Sequence, residues 1–193
     1  MHTMSRMILG LAFGAVCLSS TLAVAQEPIN RDGHWGLGAN TGGLLARYWT
    51  SQSLAFQLSA DFSWNKDGYY TGDQRNMGGS FGVIPALVTR GNVVLESPIL
   101  AGYSGYRYKS ESDASRSEHN IDTYSLKFGL GIEYHFDELP NLTFGGSLAA
   151  LTFSYGEEEN IRKTEGFPDE VSKDYPKNFS TFSSASVGLM YYF

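Results

Sequence analysis

Residues 123–136 alternate without a break. Tyr124, Leu126, Phe128, Leu130, Ile132, Tyr134 and Phe136 hold the even positions; Thr123, Ser125, Lys127, Gly129, Gly131, Glu133 and His135 hold the odd ones. A period of two places one set on each face of a β-strand, and no helix can separate them. The segment is longer than an ordinary strand of about five or six residues. One face is wholly apolar and the other is glycine, hydroxyl and charge, so the apolar face must meet either a core or lipid.

The pattern recurs. Leu54, Phe56, Leu58, Ala60, Phe62 and Trp64 alternate with Ala55, Gln57, Ser59, Asp61 and Ser63. At the end of the chain Ala185, Val187, Leu189, Tyr191 and Phe193 share one face, and Ser184, Ser186, Gly188, Met190 and Tyr192 the other. Segments 79–90, 93–108 and 142–155 are further strand candidates. In the last, apolar parity switches between Leu148 and Leu151, which predicts a bulge near Ala149-Ala150. Segment 35–49 contains the turn signal Thr41-Gly42-Gly43 and divides into strands at 35–40 and 44–49.

Connections at 50–53, 91–92 and 137–141 are short, while those at 65–78, 109–121 and 156–178 are long. Strands long enough to cross a bilayer at a tilt, with short turns at one end and long loops at the other, match membrane-spanning β-strands. The fold expected is all-β: an eight-stranded antiparallel up-and-down transmembrane β-barrel. If the faces are assigned correctly, Leu130→Arg is the disruptive change and its neighbour Gly129→Ser the mild one.

The start of the chain reads as an address. Arg6 precedes the apolar run 7–18, and Ala23-Val24-Ala25 supplies a small-residue cleavage pattern. Residues 1–25 are therefore a cleaved signal peptide, and 26–193 form a single barrel domain. The one cysteine, Cys17, leaves with the signal peptide, so no disulfide or thiol chemistry is expected. Net charge is −6 with no basic block, which speaks against nucleic acid as a partner.

The final residues carry a resemblance. Ser186, Gly188, Tyr191 and Phe193 match, position by position, the C-terminal insertion signal of outer-membrane proteins: a polar residue, a glycine, alternate aromatics and a terminal Phe. Together with the hairpin run 35–64, the chain resembles the small outer-membrane β-barrel domain family of OmpA/OmpX type. That resemblance implies the cell outer membrane of a Gram-negative bacterium, a monomer among outer-membrane lipids and lipopolysaccharide, and assembly by the barrel-assembly machinery. It implies no single activity, because this family hosts several roles.

The site residues follow from the polar faces. Lys127, Glu133 and His135 share one strand face, Gln57 and Asp61 another, and Glu96 joins them. An eight-stranded barrel is just wide enough for such side chains to fill it. They form a lumen polar network that is either a structural plug or the gate of a narrow pore. No His-x-Ser pair, metal-ligand spacing or cofactor motif is present, so the expectation is no enzyme, no metal and no cofactor. The favoured role is structural or surface-interacting through the exterior loops, with an unknown surface ligand. The alternatives are a narrow pore for ions or small solutes, a lipid-processing or apolar-ligand barrel, and a soluble lipocalin-like barrel. The last draws on the G-x-W at Gly33-His34-Trp35 and would turn the apolar face inward.

Two prolines add one expectation. A two-residue turn at Gly91-Asn92 pairs residues so that Pro85 faces Pro98. That register makes a lateral seam where ladder bonds are lost, but it also puts Glu96 on the same face as Phe81 and Leu87. A bulge at these prolines is the simpler reading.

Overall fold

The computed structural model describes residues 30–67, 72–112, 115–164 and 166–193. The expected signal peptide lies outside the described residues. Among the described residues there are ten strands: β1 Trp35–Asn40, β2 Gly43–Ser51, β3 Leu54–Asp67, β4 Gly72–Arg90, β5 Val93–Glu96, β6 Ile99–Ser112, β7 Ser115–His135, β8 Leu142–Thr164, β9 Glu170–Asp174 and β10 Lys177–Tyr192. All pairings are antiparallel, and β1, β2, β3, β4, β6, β7, β8 and β10 pair in a closed ring. β1 closes on β10 from Gly36 opposite Tyr192 to Asn40 opposite Gly188. The division of 35–49 falls at Thr41-Gly42, between β1 and β2.

The count exceeds the expected eight for two reasons. β5 is separated from β6 by Ser97-Pro98, where proline has no N–H to donate, and it bridges β4 and β7 below β6. β9 folds back on the far end of β8, from Glu158 opposite Asp174 to Arg162 opposite Glu170.

The loops expected at 65–78, 109–121 and 156–178 are mostly ribbon. β3 and β4 pair as far as Asp67 opposite Gly72, β6 and β7 as far as Ser112 opposite Ser115, and β7 and β8 as far as Ser115 opposite Thr164. Alternation vanishes in these stretches because no apolar surface lies against either face. Backbone pairing does not require it.

The apolar face points outward. Leu58, Phe62, Phe81, Leu126, Leu130, Ile132, Phe153, Val187 and Leu189 are all exposed, whereas Arg47, Gln57, Glu96, Glu133 and His135 are buried. A soluble barrel with an apolar cavity requires the opposite arrangement, so the lipocalin-like expectation is overturned. Trp35 of the G-x-W is itself half-exposed and packs on Tyr48, with ring centroids 4.7 Å apart.

Two of the four register shifts among the described residues bear on the expectations. Phe128 faces Leu151 and Gly129 faces Ala149, so Ala150 is the extra residue, where the parity break predicted one. The second corrects the proline expectation. Val88 faces Leu95, but Ala86 faces Glu96, so Leu87 is inserted and the ladder slips by one. Pro85 then accepts a 2.9 Å bond from the Ser97 N–H and pairs with Leu54 on its other side. Pro85 and Pro98 are not opposed, and the seam at them has no basis. The slip leaves Leu87 and Val88 both outside and turns Glu96 inward, which removes the polarity conflict.

Candidate functional site

The inward positions of β2 are Leu45, Arg47 and Trp49, because Leu44, Ala46 and Tyr48 take the outer face. Arg47 is the hub of the interior. Its Nη1 lies 2.9 Å from Glu96 Oε2 and 2.5 Å from Glu133 Oε2, and its Nη2 donates to Gln57 Oε1 at 2.7 Å. Tyr192 donates its hydroxyl to Glu133 at 3.2 Å and accepts from Trp49 Nε1 at 3.2 Å. His135 Nε2 sits 2.9 Å from Glu133 Oε1, and its ring stacks on Tyr192. One guanidinium thus holds two carboxylates that would otherwise repel each other, and its planar fork of donors reaches all three acceptors.

Below this cluster Trp49, Ala55, Ile84, Met190 and Tyr192 pack together as the buried apolar core. Arg31 lies beneath them. Its guanidinium stands 4.2 Å over the Trp49 ring and donates to Gln52 O and Thr89 Oγ1. The end of the ring nearest Phe193 is therefore filled. Above the cluster the interior opens into a cavity of about 370 Å³, lined by Ser59, Asp61, Ser80, Ser125, Lys127 and Ser147 among others.

Four of the six expected network residues, Gln57, Glu96, Glu133 and His135, come together here. Asp61 and Lys127 line the cavity whose floor Arg47, Gln57, Glu96 and Glu133 form, but they are not ion-paired to that cluster. The hub, Arg47, was not among the expected residues. Its signal was available: one cation in the run Leu44-Leu45-Ala46-Arg47-Tyr48-Trp49, on the same parity as Trp49. Tyr192 had the inward parity, with Ser186, Gly188 and Met190, but nothing in the sequence marked it as a partner for a buried carboxylate.

The terminal residues occupy the closing seam. Phe193 exchanges backbone bonds with Trp35 at 2.9 and 3.3 Å, and its ring is exposed beside that of Tyr191 on the outer face. Ser186 meets Ser147 Oγ at 2.9 Å inside. Gly188 is required sterically: a Cβ there would fall 2.5 Å from Ala39 O. On the far ribbons charges pair at the surface, Arg107 with Asp122 at 2.7 Å and Lys173 with Glu159 at 3.0 Å. The hydrogen bond from Lys173 holds the Glu159 carboxyl below the usual carboxylate range.

A closed antiparallel ring with an apolar exterior and a charged, hydrogen-bonded interior defines the class. Among solved structures, the fold is similar to that of a major outer membrane protein from Thermus thermophilus. That likeness covers 83% of this chain and 98% of the other, with a TM-score of 0.50 at 15% identity. No family model matches the sequence, and no curated protein matches it.

Proposed function

We propose that the protein is an integral outer-membrane β-barrel of the small OmpA/OmpX-like kind, exported by a cleaved signal peptide and monomeric. Its role is structural or surface-interacting, exercised through the ribbons that extend β3–β4 and β6–β9 outside the cell. The observation that carries this reading is the inverted distribution of polarity around the ring. A lipid surround makes such an apolar exterior favourable. Rows of exposed backbone edge and side chain on the ribbons offer a partner far more surface than the short turns at the other end. In this reading lipopolysaccharide surrounds the barrel and the barrel-assembly machinery inserts it. The filled floor around Arg47 argues for a plug over an open pore, so a refolded sample in a planar bilayer should show no steady conductance.

Heat modifiability tests the main reading. The membrane fraction, run unboiled, should give a faster band than the boiled sample. A soluble protein with no shift overturns it. Phe193→Ser should lower the amount of the fast band and raise unfolded protein in the periplasm. Undiminished assembly at native expression would remove the terminal residue from the insertion signal.

A further inference from the structure

The wall of the ring is not equally high all round. β1 and β2 meet at Thr41-Gly42, and their pairing with the neighbours stops there. Asn40 faces Gly188 on one side and Leu44 faces Ala60 on the other, and the last bond runs from the Thr41 N–H to Val187 O at 3.0 Å. Above that tip, among the described residues, 61–67 of β3 pair only with β4, and 177–186 of β10 pair only with β8. Two sheet edges flank a notch. Residues 60–63 and 181–185 beside it are exposed whichever face they point to.

The notch interrupts the apolar exterior. Phe62 on β3 lies beyond the hairpin tip and is 68% exposed, and Phe179 and Phe182 on β10 lie beyond it on the other flank. Residues 61–67 and 177–186 leave one edge each without a β-partner among the described residues, and hydrocarbon at this level would not tolerate such an edge uncovered. Phe182 also adopts a left-handed backbone, with φ 51°, at the irregularity between Thr181 and Ser184. A bulky residue rarely accepts that conformation, and such strain clusters where a structure binds or moves.

Behind the notch lies the cavity of about 370 Å³, of mixed polar and apolar lining, with Asn40, Thr41, Asp61, Ser184 and Ser186 on its polar side. Lys127, from β7, lines it too; it is half-buried and has no ion-pair partner among the described residues. Arg47, by contrast, is taken up by Glu96 and Glu133.

We propose that the notch is a lateral portal, through which a single-chain amphiphile with a small anionic head, a long-chain carboxylate, seats that head against Lys127 and leaves its tail in the bilayer. The inference rests on the membrane reading above. The cavity is too small for the saccharide head of a lipopolysaccharide but admits a carboxylate and its first methylenes. The serines and the free strand edges supply hydrogen bonds that a wholly apolar molecule could not use. Asp61 carries the opposing charge at the mouth, where it is exposed and screened by water.

The test uses the protein in phosphatidylcholine nanodiscs, titrated with palmitate labelled at its carboxyl carbon. A second, saturable carboxyl resonance should appear beside that of bilayer palmitate. Lys127→Gln should weaken binding by about tenfold or more through loss of a charge-assisted hydrogen bond, and Lys127→Arg should retain it. Asp61→Asn should tighten it. A hairpin lengthened by a two-residue insertion on each strand at Thr41-Gly42 closes the notch and should abolish the resonance with Lys127 intact. The proposal fails if the resonance is absent, if it survives Lys127→Gln, if Asp61→Asn weakens it, or if the lengthened hairpin leaves it unchanged. Protein that does not enter nanodiscs at all refutes the membrane reading. Protein that enters, is heat-modifiable and gives no resonance refutes the portal alone.

Discussion

Arg47→Met is expected to destabilise the folded barrel by about 3–5 kcal/mol, the usual cost of leaving a buried charge without its partner. The variant removes the one cation that, among the described residues, ion-pairs with both Glu96 and Glu133, and leaves two carboxylates facing each other inside the ring. Gln57 loses its donors at the same time. Urea titration of the refolded protein, followed by tryptophan fluorescence, measures the loss. The triple variant Arg47→Met, Glu96→Gln, Glu133→Gln should recover most of it, because the uncompensated charge is gone. A single variant as stable as the wild type would mean that the cluster contributes nothing, and a triple variant as weak as the single would mean that packing, not charge, is at stake.

Leu130→Arg carries the second large effect. Leu130 is exposed midway along the apolar face of β7, and an arginine on a lipid-facing strand near the midplane costs about 2–4 kcal/mol. The inward control is Ser147→Ala, which forfeits one bond to Ser186 and about 1 kcal/mol. Unfolding in lipid vesicles should separate the two clearly, and equal losses would mean the faces are reversed. The neighbouring change Gly129→Ser, mild by the reasoning from alternation alone, is not mild in this structure. A Cβ at Gly129 would fall 2.7 Å from Leu148 O and 3.2 Å from Pro98 Cγ. Gly129 faces inward as alternation requires, but beside the Ala150 bulge, where the neighbouring backbone crowds it.

Alternation is a local property, and it carried everything that depends on one strand at a time. The faces of β3, β7 and β10 and the bulge at Ala150 were all readable in that way. The turn at Gly91-Asn92 was readable too, and its register held from Arg90–Val93 to Val88–Leu95. It failed one step later, because the Leu87 insertion answers to the inward pull on Glu96 from Arg47, a residue far away in sequence. The ribbons were read as loops for the complementary reason: with no apolar surface to distinguish faces, pairing leaves no trace in polarity. The partial network was legible as a set of inward polar residues. Its centre was not, because a single charge in a short strand gains meaning only from the strands that the closed ring brings against it.

The Arg47 cluster also bears on how the chain reaches this state. Its contacts join residues far apart in sequence: 10 positions from Arg47 to Gln57, 49 to Glu96 and 86 to Glu133, with 143 between Trp49 and Tyr192. Contacts this distant carry a large loop-closure cost and slow the folding of β-rich chains. Arg47 sits on the second strand, and the tyrosine that caps its partner sits on the last. A nascent sheet lacking β10 therefore has an open charged centre and an unpaired β1 edge together, and both are resolved in the same event. Closure of the first strand on the last thus completes the hydrogen bonding of Glu133 by Tyr192 and the pairing of β1 in one event.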